Sequence, residues 1–469
     1  MTRLARMVRV LLLFESAMYT ALTPLLPHYA HTLHASTAAV GLLAAGYSAG
    51  LVPGAVLGGR LATRYGVRRT TLAGLVGFGL SVAAFGLVGE LAALDALRVL
   101  QGLFCGLIWG GGLTWVIAEA PADRRGAVIA GAVGASTFGT LLGPLLGTLA
   151  VTVSPGAVFG GTGAVALGLA GWASRHPEPA WRPPVGAIGR QLRAALRAGG
   201  FGLGVWLIAL EGIFFGAAGV LLPLRMAQLG APSWEIGAAF VGASALATAL
   251  SPLVGRTVDA RGGPFAIVIG LAAGAPLLAA LLLPTSPALL GVLVAVALGG
   301  PMTASMIPAV SLLTEATERA AVTLVLATGA VNLAYAVGET LGAPVAAGIS
   351  QATGDAIPLI LIAVLMLATL PLVRRAGRPA PAPAPAPEPQ SGRGRRRATN
   401  RLRAGDAAAL HTARAATAAD PQRRARGGDR RRADLPHRPS AVRLGSESAA
   451  PGGDPAGADP HPTATAERR

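Results

Sequence analysis

Apolar residues in this chain do not alternate with polar ones. They come in long runs, twelve of them before residue 375. A bilayer core of about 30 Å is crossed by roughly 20 helical residues. Stretches near 8–29, 38–59, 70–88, 92–117, 126–150, 157–173, 201–223, 234–255, 265–283, 288–312, 321–348 and 356–373 reach or approach that length. The pattern predicts an all-α membrane protein of twelve transmembrane helices, because a helix satisfies its own backbone hydrogen bonds inside hydrocarbon. The shortest run, 157–173, ends beside Trp172, a residue suited to the membrane–water interface. The first run lacks a small-residue cleavage site and reads as a span, not as a removable signal.

Charge sets the orientation. Only 13% of residues are charged, about half the share usual in a soluble protein. With the N-terminus inside, cytoplasmic segments receive Arg3, Arg6 and Arg9, then Arg60 to Arg69, Arg124 and Arg125, Arg175 to Arg197, Arg256, Arg261 and Arg319. The outer loops receive Arg225 alone, and Arg98 falls within a span. The positive-inside rule therefore puts both termini in the cytoplasm of a cell-membrane protein. The net charge of +17 does not imply a specific nucleic-acid partner, because it divides into +8 (21 Arg, 13 acids) up to residue 375 and +9 (18 Arg, 9 acids) beyond.

The chain also repeats itself. Shifted by 196 residues without gaps, 15–66 falls on 211–262 with 15 identities in 52 positions. Glu15 meets Glu211, Leu25-Leu26-Pro27 meets Leu221-Leu222-Pro223, Gly59-Arg60 meets Gly255-Arg256, and Gly66 meets Gly262. The same offset takes Glu119 to Glu315, and a three-residue slip takes Gly139 and Gly143 to Gly338 and Gly342. Two six-helix bundles of the same orientation follow, residues 1–173 and 201–375, as in transporters built from parallel repeats. A cytoplasmic linker, 174–200, joins them, and its RQLRAALR segment (190–197) reads as a short basic amphipathic helix. Residues 376–469, rich in Pro, Ala and Arg, read as a disordered cytoplasmic tail.

Several local motifs narrow the class. The loop after the second span runs Gly59-Arg-Leu-Ala-Thr63-Arg64-Tyr-Gly66-Val-Arg68-Arg69. It resembles the cytoplasmic signature of the major facilitator superfamily, G-x-L-x-D-R-x-G-R-R, with Thr63 in place of the usual Asp. The second copy, Gly255 to Gly262, keeps Asp259 but lacks the arginines that follow. The fourth span carries Leu94-x-x-x-Arg98-x-x-Gln101-Gly102, similar to a motif of drug:proton antiporters in which the arginine is tied to proton coupling. A pair between Arg98 and Asp95 is the plainer alternative. The fifth span, Gly139-x-x-x-Gly143-Pro144-x-x-Gly147-Thr148, resembles the antiporter motif G-x-x-x-G-P-x-x-G-G without its last glycine. Pro24-Leu-Leu-Pro27 resembles the P-x-x-P of twelve-span drug exporters. The resemblance implies the major facilitator fold, alternating access and an acidic lock at the cytoplasmic loops, weakened in the first half by Thr63.

Ionisable residues inside spans are expensive and face the interior. Glu15, Glu211 and Glu339 are the acids so placed, with Arg98 as the cation. They are the candidates for proton coupling, and Asn332 and Tyr335, on the span of Glu339, join them as candidate cavity residues. Snorkelling to the interface is the alternative for Glu15. Trp109, Trp115, Trp206 and Tyr47 are candidates to offer aromatic surfaces to a lipophilic cation, with core packing or the interfacial belt the plainer reading of each. Glu119 and Glu315, at cytoplasmic ends, read as gate salt bridges to nearby arginines. His28, His31 and His34 read as loop histidines rather than metal ligands. The single cysteine, Cys105, excludes an internal disulfide, and no catalytic site, metal or cofactor is expected. The reading is a proton-coupled exporter of small amphiphilic compounds, a monomer in the bilayer whose ligands are the substrate and protons. An uptake symporter, or a non-transporting receptor or scaffold, are the alternatives.

Overall fold

The computed structural model describes residues 3–120, 125–179, 188–197, 199–320 and 324–376. The expected tail lies outside them. Among the described residues every regular element is helical. The twelve long segments are α1 (Arg3–Thr32), α2 (Thr37–Tyr65), α3 (Val67–Phe85), α4 (Leu91–Glu119), α5 (Arg125–Thr152), α6 (Pro155–Ala173), α7 (Phe201–Gln228), α8 (Ser233–Arg261), α9 (Gly263–Ala280), α10 (Pro287–Arg319), α11 (Leu324–Thr353) and α12 (Ala356–Ala376). Ten of these are long and apolar enough to cross a membrane. The other two, α3 and α11, match them in length but carry Arg68, Arg69, Thr70 and Thr71, or Asn332 and Glu339, within the helix.

Local chemistry explains where the helices break. In α1 the α-helical pattern gives way at Ala21, and a short 3-10 turn spans Thr23–Leu25, where Pro24 has no N–H to donate. In α4 the run Trp109–Leu113, with three consecutive glycines, widens into a π-turn. In α10 the helix stops at Gly300 (φ −96°, ψ −87°) and restarts at Pro301. Between α6 and α7 the short helix Ile188–Arg197 forms where the basic amphipathic pattern predicts it, with Ala195 buried and Arg193 and Arg197 exposed.

Buried apolar side chains fall into two clusters. One gathers residues of α1 to α6 with Val220, Ala343 and Ala347, and the other residues 195–373. The repeat is also visible in the backbone. Gly66 between α2 and α3 has φ 98° and ψ 156°, and Gly262 between α8 and α9 has φ 85° and ψ 155°. Only glycine adopts that region readily. The glycines of the fifth-span motif do the same work in both halves. Gly139, Gly143 and Gly147 of α5 lie on the backbone carbonyls of Leu13, Ala17 and Ala21 in α1, while Gly338 and Gly342 of α11 lie on those of Ala209 and Ile213 in α7. Helices meet this closely in a membrane because small residues let their backbones approach.

The two halves pack at the end where α1 finishes and α2 begins. There the Ala38 amide donates to the Gln351 side chain at 3.0 Å, and Gly41 sits on Ala343 and Ala347. Across the bundle, the Thr148 hydroxyl lies 3.3 Å from the Ser233 carbonyl, and Gly237 rests on Thr148.

Candidate functional site

A cavity of about 430 Å³ lies between the halves, near the middle of the helices. Its wall takes Tyr19, Thr20 and Thr23 from the first break of α1, Arg98 from α4, and Thr137, Thr140 and Pro144 from α5. The other half contributes Phe215 from α7, Phe240 from α8, Met302 and Met306 from α10, and Tyr335 and Glu339 from α11. The surface is mostly apolar, with a few convergent polar groups, as is usual for small-molecule sites.

Glu339 is the point where the halves meet chemically. One carboxylate oxygen accepts from the Tyr19 hydroxyl and the other from the Ser48 hydroxyl, so a group of α11 is held by α1 and α2. Sequence places Glu339 on the wall and says nothing of these partners, because hydroxyls 320 and 291 residues away leave no local signal.

Arg98 is 3% exposed. Its guanidinium lies over the Tyr47 ring, 4.7 Å from the centroid, donates to Gln101 Oε1 at 3.0 Å, and reaches the Tyr19 carbonyl at 3.4 Å. Gln101 is fixed in turn by donating to the Ser81 carbonyl of α3 at 3.3 Å. A Cβ at residue 102 would overlap the Tyr47 backbone, so Gly102 lets α4 settle on α2 and brings the Tyr47 ring under the guanidinium. The Arg-x-x-Gln-Gly pattern is thus one device for holding a buried cation. The alternative pair is not formed, since Asp95 Oδ1 is buried without a partner.

Glu15 does not reach for the interface. It is 3% exposed and accepts from the Tyr47 hydroxyl, Cys105 Sγ at 2.9 Å, Trp109 Nε1 at 2.9 Å and Ser16 Oγ at 3.2 Å. It lies behind the cavity wall and connects to it through Tyr47, whose ring face bears Arg98. Its repeat counterpart Glu211 is equally buried, with Oε1 accepting from Ser305 and Oε2 unpartnered. Glu211 also lies off the wall. Tyr335 lines the cavity, and half-buried Asn332 on the same helix does not.

The packing gives the aromatic candidates the plainer of their two readings, as core and supporting residues. Tyr47 supports Arg98, Trp109 serves Glu15, Trp115 is fully buried and Trp206 donates to Thr369 at 3.1 Å. None lines the cavity; Tyr19, Phe215, Phe240 and Tyr335 do. A membrane sequence marks an aromatic residue but not the side of the helix that another half will face.

At the far end, Gly59 and Gly255 meet no neighbour within 4 Å of a would-be Cβ, and Arg64 lies over its neighbour Tyr65. The Arg68 guanidinium donates to the Ser174 carbonyl at the end of α6, and its amide donates to Glu178 at 3.3 Å. Glu178, from the linker, thus stands beside the loop that lacks an acid at Thr63. Asp259 is exposed, with no ion pair among the described residues. Glu119 is exposed too and pairs with no arginine among them. Glu315 meets Arg319 at 3.5 Å, both more than half exposed and one turn apart on a single helix, so this pair joins no two elements. His28 and His31 belong to the last turns of α1, not to a loop, because the helix continues to Thr32. No cluster of three metal-ligating side chains occurs among the described residues.

The helical bundle with a central cavity between two pseudo-symmetric halves, together with the family its sequence matches, marks a membrane transporter and not an enzyme. The chain belongs to the major facilitator superfamily, whose model matches residues 10–324 and 204–421. A tetracenomycin C resistance and export protein of Streptomyces glaucescens is 38% identical over 128 residues, 27% of this chain and 23% of that protein. The matched segment is thus under a quarter of the relative's length. Solved structures share the fold. They include the nucleoside transporter NupG (TM-score 0.63, 12% identity, 81% of this chain and 100% of that one) and an auto inhibited peptide transporter of the POT family (0.64, 13%, 82% and 99%). A D-xylose-proton symporter aligns at a TM-score of 0.57 with 20% identity over 77% and 95%.

Proposed function

We propose that this chain is a proton-coupled exporter of small amphiphilic compounds, a monomer in the plasma membrane with both termini in the cytoplasm. It works by alternating access between residues 1–173 and 201–375, joined by the 174–200 linker. In that orientation the packed end is the outer one, and the structure is the inward-facing state.

The observation that carries the reading is Glu339. It lines the cavity and is held by hydroxyls of the opposite half. A substrate engaging this carboxylate or Tyr19 competes with the bonds that close the outer end, so occupancy loosens the closure. A proton on the same carboxyl excludes a substrate that needs it ionised, and mutual exclusion at one group is the condition for antiport. Arg98 supplies fixed positive charge on the wall, while Phe215, Phe240, Met302 and Met306 receive the apolar part of the ligand. A potential of 100 mV adds about 2.3 kcal/mol per charge moved, so one or two protons drive appreciable accumulation. The name of the resistance and export relative supports the outward direction.

The test is flux of a panel of lipophilic compounds in proteoliposomes under an imposed pH gradient. Wild-type protein moves substrate against the proton flow, and Glu339→Gln, present in equal amount, loses gradient-driven flux. Gradient-driven flux unchanged in that variant sinks the assignment. Substrate moving in the same direction as protons marks an uptake symporter instead.

A further inference from the structure

The end of the first half opposite the packed one carries a second concavity, of about 820 Å³, between the start of α1 and the end of α6. Its wall is basic: Arg3, Arg6 and Arg9 on successive turns of α1, with Arg175 and His176 just past α6 beside Trp172. Among the described residues no carboxylate pairs with Arg3, Arg6 or Arg175. Arginines three apart on a helix repel one another, and the start of a helix is already its positive end. Arg3, Arg6 and Arg175 thus gather positive charge with no paired carboxylate among the described residues, an arrangement that a bound anion relieves.

The wall is also held in place. His176 lies edge-on to Trp115 and Trp172 at 6.3 and 6.2 Å, and its Nδ1 hydrogen-bonds the Trp172 carbonyl at 3.3 Å. Arg68 ties the Ser174 carbonyl back to α3. Beside the arginines, Val10 is 40% exposed and Trp172 is half-buried, so the basic pocket continues into apolar surface along the helices. A free phosphate uses only the first part, whereas a phospholipid uses both.

We propose that this pocket binds the phosphate headgroup of one anionic membrane lipid, with Trp172 at headgroup depth and the acyl chains running along α1. Basic pockets between helices at a membrane surface select anionic headgroups in this way, each arginine contributing about a fivefold gain in affinity. The inference rests on the membrane fold and not on the transport reading, and its test needs no flux.

Full-length protein in detergent is titrated with phosphatidylglycerol or phosphatidylcholine and bound lipid is counted by native mass spectrometry. Wild-type protein is expected to retain phosphatidylglycerol, and the triple variant R3Q/R6Q/R175Q to lose on the order of a hundredfold in affinity. The R374Q/R375Q variant, which removes charge from the end of α12, keeps wild-type binding. If the triple variant fails to fold, R175Q alone is read, with a loss of about fivefold. Equal binding of the two lipids, an unchanged R175Q, or an equal loss in R374Q/R375Q overturns the proposal. Displacement of phosphatidylglycerol by millimolar inorganic phosphate overturns it as well, since it marks a soluble-anion site.

Discussion

Arg98 and Glu339 share a cavity yet are held differently, and that difference predicts how each tolerates change. The cation is gripped by its own half, through Tyr47, Gln101 and the Tyr19 carbonyl. Arg98→Lys keeps the charge but loses the planar group that spreads over a ring while donating sideways. We expect it to lower transport at least tenfold with little change in membrane abundance, measured as initial flux per amount of protein. Gln101→Leu should act in the same direction, because it frees the guanidinium without touching the cavity. Glu339, in contrast, is gripped by the other half. Tyr19→Phe with Ser48→Ala removes both donors, and we expect it to shift the molecule away from the conformation seen here. Greater labelling of cysteines placed at the packed end would report the shift. The motif around Arg98 was legible because Gln101 and Gly102 lie within about one turn of it in the sequence, whereas the Tyr47 ring beneath the guanidinium comes from another helix and was not. Ser48 and Tyr19 were not, since an isolated serine or tyrosine in an apolar run looks like any other.

Helix contacts in this molecule depend on backbone approach, and the glycines say where. Gly143 of α5 sits on the Ala17 carbonyl, and Gly338 of α11 on the Ala209 carbonyl. Adding a branched side chain at either site drives two helices apart, as overpacking does elsewhere at about 1–3 kcal/mol. Gly143→Val and Gly338→Val should therefore lower the detergent unfolding temperature and the yield from membranes, whereas Gly168→Val, which meets open space, should not. Gly66 is a different case: its φ of 98° costs an alanine about 1–3 kcal/mol through the backbone, and a Cβ there also displaces the Glu178 carboxylate. Gly262→Ala should cost a similar amount through the backbone, without the Glu178 overlap, because the repeat places a similar φ there and a Cβ meets only Pro264. The helix count and the glycine motifs were readable from run length and spacing. The breaks at Trp109–Leu113 and Gly300 were not, because glycine is compatible with both a straight helix and a distorted one.

Alternating access requires the packed end to part, and the packing shows which contacts must go. Ala38 of α2 and Gln351 of α11 meet there, as do Thr148 of α5 and Ser233 of α8. The chain has one cysteine, Cys105, which is buried, so engineered pairs are chemically clean. We expect oxidation of the Ala38→Cys/Gln351→Cys double variant to stop flux and a reductant to restore it. Flux that persists in the cross-linked protein would show that this end need not open during the cycle. Gel mobility establishes the extent of cross-linking before flux is read.

Hydropathy alone determined that this chain lives in a membrane as twelve helices, because the bilayer rewards long apolar runs wherever they occur and does so locally. The 196-residue repeat sorted those helices into two related sets. Hydropathy also determined which residues are too costly to face lipid: Glu15, Arg98, Glu211 and Glu339. Tertiary structure alone decided that Glu339 and Arg98 reach the cavity while Glu15 and Glu211 stand behind its wall. The same packing kept Tyr335 on the wall as expected, put Trp109, Trp115, Trp206 and Tyr47 off it, and added Tyr19, Phe215 and Phe240. The physical reason is that lipid rejects a charge from the outward side of a helix and leaves every inward side equally acceptable. Which inward side opens onto empty space depends on how two bundles meet, and no single helix carries that information.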